Sequence, residues 1–373
     1  MKIAAITTVT IPATTANSIE VMKVCHAMAQ NGHNISLTVP GKEMPEWKSL
    51  ADQYGLQQQF QVKTRRAWKI LKRYDFAWST VRNAHQTGAE LLYTWSSQAA
   101  LIGLWYRMPT ILEVHDLPTG KFGPILLRNF FRIEGKKRLL CITQALATKL
   151  EKLLGEDYHS EMVQIAPNGT DLSQYQDLPD AKTARQMLSL PEKMTVGYTG
   201  HFYQGRGIEL LLSLAKAFPD VNFLWVGGNP TNVQQWREKL KREAVQNIIL
   251  TGFIANTILP LYQAAAEILV MPYETSISGS GGGNSAEICS PMKMFDYLAA
   301  GRVILTSDLP VFHEVLNEKN AVFCPPEDTE SWRKQLSLLL GNPLLRESLC
   351  MQARQDAAQY TWQRRAERAL DGF

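Results

Sequence analysis

Short β-branched, apolar runs alternate with longer helical patterns from one end of this 373-residue sequence to the other, and that alternation constrains the fold most. A strand, a crossover helix and a second strand form the unit of a parallel sheet. Candidate strands fall at 2–10, 34–40, 91–95, 110–116, 139–144 and 163–166, and again at 194–198, 222–227, 247–251, 268–272, 302–307 and 321–324. Several, such as Ile268-Leu-Val-Met271, contain no polar position, which suits strands covered by helices on both faces. The length is more than one ordinary core accommodates. The expected architecture is α/β, with two doubly wound domains in tandem. The divide is expected near Asn168 to Ala184, where a Pro-Asn-Gly turn gives way to a polar helix. Ligands of open sheets settle outside the carboxyl ends of the strands. Two such domains facing each other would form a cleft between those ends.

Hydrophobic residues make up 45% and charged residues 20%, the balance of a folded soluble chain. The five cysteines contain no CxxC pair, so neither a disulfide framework nor a zinc site is suggested. No apolar run reaches membrane-spanning length. The amino terminus reads as a strand without a signal-peptide pattern, and a cytoplasmic location is expected. The net charge of +4 is unevenly spread: residues 1–170 carry 20 Lys+Arg against 13 Asp+Glu, or +7, and the rest 19 against 22, or −3. Two stretches, Lys63 to Arg73 and Arg128 to Arg138, are densely basic. The first interleaves Trp68, Ile70 and Leu71 with cations, as on an amphipathic helix. It reads either as a surface for an anionic membrane at the inner face of the cell membrane or as a solvated helix face. No recognition motif accompanies the charge, so no nucleic-acid partner is expected.

Several segments could carry chemistry. In Ser290-Pro-Met-Lys-Met-Phe-Asp-Tyr-Leu-Ala-Ala-Gly301, Ser290 suits an N-cap and Pro291 a first helical position. The helix start would aim N–H groups at a phosphate. Met292, Phe295 and Ala299 recur at helical spacing and should face the core. Lys293 and Asp296 share another face, where they would touch a diphosphate and a ribose, or else form a surface ion pair. The preceding Tyr273 to Glu287 segment is rich in glycine and reads as a close-approach loop, a lid or a surface loop. In Val196-Gly-Tyr-Thr-Gly-His-Phe-Tyr-Gln-Gly-Arg-Gly207, Gly200 closes a strand. His201 and Arg206 then stand on the loop at the sheet's carboxyl edge, where Arg206 could stabilise a departing phosphate. The strand Thr110-Ile-Leu-Glu-Val-His-Asp116 ends in His115 and Asp116, and this histidine could donate a hydrogen bond to the sugar or the acceptor. Asn17 and Glu20, flanking Ser18, fit a capping box that places a helix start on the acceptor side. A dinucleotide fingerprint and a GKS/GKT phosphate loop are both absent.

In order and spacing these segments resemble the retaining glycosyltransferases of the GT-B fold, specifically the fourth family, the glycosyl transferases group 1. The resemblance runs nearly end to end, through Asn31-Gly-His33, Glu113-Val-His-Asp116, Ala166-Pro-Asn-Gly-Thr-Asp171, Gly197-Tyr-Thr-Gly200 with Arg206-Gly207, Trp225-Val-Gly-Gly228, Met271-Pro-Tyr273, Ser290 to Gly301 and Thr306-Ser-Asp-Leu-Pro310. It implies two Rossmann-like domains facing across a cleft: an acceptor domain, 1–172 with a returning helix over 358–373, and a nucleotide-sugar domain, 173–357.

It also implies a donor site of Gly200, His201, Arg206, Glu287, Ser290, Pro291, Met292, Lys293 and Asp296. Asn17, Ser18, His115 and Asp116 fall on the acceptor side, and His115, Arg206 and Lys293 take catalytic roles. The implied reaction transfers a hexosyl group from a nucleotide-diphosphate sugar to a glycan or lipid-linked acceptor, with retention, no cofactor and no divalent metal, in cell-surface polysaccharide or glycolipid assembly. The sequence departs from the family at Ile288, where an acid is usual and Glu287 stands adjacent. It departs again at His201, often arginine, and at Thr14 to Ser18, where paired glycines are common. Two rival readings remain: a nucleotide-sugar epimerase or hydrolase on the same fold, and a non-catalytic partner subunit.

Overall fold

The computed structural model describes residues 1–43, 46–68, 73–277 and 284–373. The chain divides into two compact units, Met1–Asn168 with Trp362–Phe373, and Gly169–Thr361.

The first unit is built on β1 (Lys2–Ile6), β2 (Asn34–Pro40), β3 (Gln61–Arg65), β4 (Leu91–Thr94), β5 (Thr110–Val114), β6 (Lys137–Cys141) and β7 (Val163–Ile165). All pairings are parallel, in the order β3-β2-β1-β4-β5-β6-β7. The winding reverses between β1 and β4. Ile3, Leu37, Leu92, Ile111 and Leu139 are fully buried because helices cover both faces. The helix Trp362–Leu370 belongs to this unit and packs against the helix Ala16–Gln30. There Asn31 Nδ2 donates to the Gln363 carbonyl (3.0 Å) and Arg138 Nη1 to that of Ala369 (2.8 Å).

Strand β3 is an addition to the expected set, and it corrects the reading of Lys63 to Arg73 as one amphipathic helix. Val62 and Thr64 are β-branched and pair with Leu37 and Val39. Lys63 and Arg65 put charge on an edge strand, which blocks edge-to-edge association. Residues 69–72 of that stretch lie outside the described residues, while Trp68 before them is 63% exposed.

The second unit contains β8 (Thr195–Thr199), β9 (Asn222–Val226), β10 (Ile248–Gly252), β11 (Ile268–Met271), β12 (Val303–Ser307) and β13 (Ala321–Cys324). These too are parallel, in the order β10-β9-β8-β11-β12-β13, with the reversal between β8 and β11. Phe223, Leu224, Trp225 and all of β11 are buried completely, and Trp332, Leu336 and Leu339 of a covering helix close the core over them. Among the described residues no helix is long and apolar enough to cross a membrane.

Candidate functional site

The second unit gathers its candidate residues at the switch point, where β8 and β11 pair side by side. Three segments meet there: the loop after β8, the segment after β11, and the helix Met292–Ala300. Gly207 has φ +65°, and a Cβ on it would stand 1.9 Å from the Pro272 carbonyl oxygen, so only glycine lets the first two segments touch. The backbone holds them together, with Glu274 N–H donating to the Gly205 carbonyl at 3.1 Å. At Gly200, φ +139°, a Cβ would lie 2.8 Å from Lys293 Nζ, so the missing side chain makes room for the ammonium.

Arg206 and Lys293 converge on two buried phenol rings. The Arg206 guanidinium lies 4.6 Å from the Tyr273 centroid, and Lys293 Nζ is 4.0 Å from that of Tyr198 and 5.5 Å from that of Tyr273. Neither cation pairs with a carboxylate among the described residues. Burial pushes the Tyr273 phenol and the neighbouring Cys289 thiol up to about 12, so neither supplies a negative charge. Burial, and after it the Arg206 guanidinium, push the Lys293 ammonium well below the usual lysine range. The faces of the rings offset part of this cost, about 0.5–2 kcal/mol per contact. Two cations beside neutral walls make a receptor for a polyanion.

The other donor-side candidates fall around this pair in different settings. The helix starts one residue later than expected: Pro291 is its N-cap, in extended conformation with no side-chain capping bond, and Met292 is its first residue. Ser290, read as the cap, is instead a buried residue ahead of it. Proline at the cap has no hydroxyl to bond the free N–H groups, and Met294 N–H reaches only the Pro291 carbonyl, at 3.0 Å. Phe295 and Ala299 face the core, but Met292 is only half-buried. Lys293 and Asp296 are not a surface ion pair: Asp296 Oδ1 accepts from Thr170 Oγ1 at 2.9 Å, while Lys293 turns to the phenols. Burial and the nearby Asp296 charge raise the Tyr175 phenol well above its usual value.

His201 stacks on the Tyr203 ring with centroids 4.8 Å apart, and its carbonyl accepts from Tyr198 Oη at 2.7 Å. Glu287 is exposed in the turn 286–288. Of the glycine-rich segment, 278–283 lie outside the described residues. Asn284 ties its flanks, accepting from Ile277 N–H at 2.9 Å and donating to the Thr275 carbonyl at 2.8 Å. Asn284, Tyr198 and Tyr273 carry parts of this site that the sequence reading did not single out. Tyr198 and Tyr273 were visible as members of Gly197-Tyr-Thr-Gly200 and Met271-Pro-Tyr273.

In the first unit His115 follows β5, with Nε2 2.6 Å from Glu113 Oε1 and 3.8 Å from Glu20 Oε1. Arg365 Nη2 lies 2.5 Å from the same Glu113 oxygen, and Tyr93 Oη bonds the other. Burial alone would raise Glu113, but Arg365 and His115 hold its carboxyl below the usual range. For Glu20, burial and then the Glu113 charge push the carboxyl well above it. Glu20, Glu113 and His115 bring ligand-type atoms within 4.8 Å of one another. Arg365 Nη2 and His115 Nε2 already occupy Glu113 Oε1, and the Tyr93 hydroxyl occupies Oε2. This donor set therefore does not fit a metal.

The capping box expected at Asn17 and Glu20 is not formed. Thr15 caps the helix Ala16–Gln30, accepting from Ser18 N–H at 3.3 Å, because its residue has the extended backbone that capping needs. Asn17 is exposed; Glu20 is buried toward His115. Ser18 Oγ donates to the Ala13 and Thr15 carbonyls, both at 2.8 Å. Asp116 Oδ1 accepts from Leu117 N–H at 2.8 Å.

The fold is that of solved GT-B glycosyltransferase structures. Residues 193–342 match the family model described as Glycosyl transferases group 1. The expected resemblance to that family is thereby found in the second unit. Among curated relatives the chain is 27% identical over 181 residues to TuaH of Bacillus subtilis, a glycosyltransferase assigned to teichuronic acid biosynthesis, covering 48% of this chain and 42% of that one. It is 24% identical over 183 residues to the processive diacylglycerol alpha-glucosyltransferase of Acholeplasma laidlawii, covering 47% and 51%. The chain thus spans about half the length of the curated relatives it matches. Among solved structures, HepE of Anabaena, determined with UDP, superposes with a TM-score of 0.74 at 16% identity over 99% of this chain and 98% of that one. That likeness places the whole chain in the GT-B fold.

Proposed function

We propose that this chain is a retaining, metal-independent glycosyltransferase of the fourth family, moving a hexosyl group from a nucleotide-diphosphate sugar to a glycan or lipid-linked acceptor in cell-surface polysaccharide or glycolipid assembly. The observation that carries the proposal is the Arg206–Lys293 pair over Tyr198 and Tyr273, two cations without a carboxylate partner among the described residues. A pyrophosphate supplies the charge this pair lacks.

As the bond from the anomeric carbon to the diphosphate breaks, negative charge grows on the leaving oxygen, and fixed cations stabilise that charge more than they stabilise the bound donor. Arg206 and Lys293 take the place a divalent ion would otherwise fill. Neither cation has a carboxylate partner among the described residues, and attack on the face the diphosphate leaves gives retention, the departing phosphate accepting the acceptor's proton. His115 is assigned to a hydroxyl of the sugar or acceptor. The first unit also exposes Trp68, Trp78 and Trp105 and carries an excess of positive charge, which supports peripheral contact with an anionic membrane from the cytoplasmic side.

UDP-sugars come first in the test, since HepE binds UDP. A ligand at about a hundred times its dissociation constant adds roughly 2.7 kcal/mol of stability, a clear rise in melting temperature. Turnover should persist in excess chelator, and the product should keep the donor's anomeric configuration by NMR. Sugar release only without transfer to any acceptor would favour the hydrolase reading, and loss of activity restored by a divalent ion would end the metal-free one.

A further inference from the structure

Three donors converge on the carboxylate of Glu113, which is buried on β5. Arg365 Nη2 and His115 Nε2 reach Oε1 at 2.5 and 2.6 Å, and the Tyr93 hydroxyl bonds Oε2. Arg365, 3% exposed, is itself fixed by two further bonds, from Nε to the Pro167 carbonyl at 3.0 Å and from Nη1 to Tyr93 Oη at 3.4 Å. A carboxylate held by a guanidinium and a phenol can only accept. The hydrogen in the 2.6 Å contact is therefore on His115 Nε2. In the neutral ring that leaves Nδ1 with a free lone pair.

We infer that Glu113 and Arg365 are positioning residues for His115: they fix its imidazole as the Nε2–H tautomer, so that Nδ1 accepts a hydrogen bond from a substrate hydroxyl. Glu20 fits the same arrangement. Its Oε1 lies 3.8 Å from Nε2, and burial followed by the Glu113 charge pushes its carboxyl well above the usual range. Glu113 and Arg365 balance one another within the buried group. In place of the donor role expected from the sequence, His115 becomes an acceptor toward substrate. Only this last step rests on the function proposed above; the tautomer does not.

The test reads the ring nitrogens directly. In protein labelled with 15N-histidine, a long-range 1H–15N correlation spectrum, with His115 assigned by its loss in His115→Gln, should give one protonated nitrogen at Nε2 and one bare nitrogen at Nδ1. Glu113→Gln, which can turn an amide N–H toward the ring, should shift His115 toward Nδ1–H. Arg365→Lys should keep more of the Nε2–H form than Arg365→Met. With a donor and acceptor in hand, Glu113→Gln should lower kcat about 10- to 100-fold, the range seen when a functional imidazole at a metal site loses its orienting partner, with little change in donor KM. An Nδ1–H form in the unaltered protein overturns the inference even if no variant folds, and so does a His115 pattern indifferent to Glu113→Gln. A correct tautomer together with failed sugar transfer would count against the proposed function and leave the inference standing.

Discussion

Each unit gathers cations, buried in the first and half-buried in the second, and the two settle the resulting charge in opposite ways. Around His115, the guanidinium of Arg365 meets the carboxylate of Glu113, and burial and the Glu113 charge push the second carboxyl, Glu20, well above its usual range. At the switch point of the second unit, Arg206 and Lys293 meet phenols and a thiol that stay uncharged, with no carboxylate partner among the described residues. A cluster that balances its own charge can orient a side chain but attracts no ion. One that leaves two positive charges unanswered gives up stability for the sake of an anionic ligand, the trade expected of a binding site.

The contrast breaks first at Glu113. Glu113→Ala strands the Arg365 guanidinium in the first unit's interior, and unfolding should become easier by about 3–5 kcal/mol by denaturant titration. Stability close to that of the unaltered protein would mean that the pair does not hold the unit together. Arg206→Ala should behave in the opposite sense, with turnover down about 100- to 1,000-fold and the melting temperature unchanged or higher, since removing it relieves Lys293. Equal losses of stability at the two sites would erase the distinction.

Gly207→Ala probes the backbone that brings the second pair together. The positive φ and the Pro272 carbonyl both oppose a methyl group, and a loss of about 1–3 kcal/mol is expected, with weakened nucleotide-sugar binding by thermal shift. The smallest effect is expected from Lys293→Met. The folded protein releases the Lys293 proton at lower pH than the unfolded chain, whose lysines titrate near about 10.4. Between those two points the unfolded chain binds more protons, so the stability tied to this residue rises with pH and is lost as pH falls through the folded value. Melting curves of Lys293→Met across that window should lose this slope and lie above those of the unaltered protein at neutral pH.

Much of the fold was legible because parallel sheets write themselves as uninterrupted apolar runs. Ile268-Leu-Val-Met271 needs no partner to be recognised. Strand β3 was not legible, since Gln61–Arg65 alternates at an edge and its cations suit a helix face equally well. Arg206 and Lys293 could be named from their glycines and from the helix beside them, but the rings beneath them could not, because a tyrosine in a strand reads as core. Arg365 was the deepest omission. It lies 252 positions from Glu113, and no periodicity links them. The one signal was Glu113 itself, a carboxylate in an otherwise apolar strand, which has to find a buried partner. The caps slipped for a local reason: Thr15 and Pro291 have the extended backbone of a cap, and Asn17 already lies inside the helix Ala16–Gln30.

The helix Trp362–Leu370 gives the order of synthesis a meaning. As the polypeptide leaves the ribosome, the sheet of the first unit emerges early, yet the arginine that clamps β5 arrives only after the second unit has been made. Until then Glu113 waits in a half-built interior without its counter-ion. The histidine is set in place among the last events of biogenesis, so a nascent chain that stalls before residue 365 is left without the clamp that orients it.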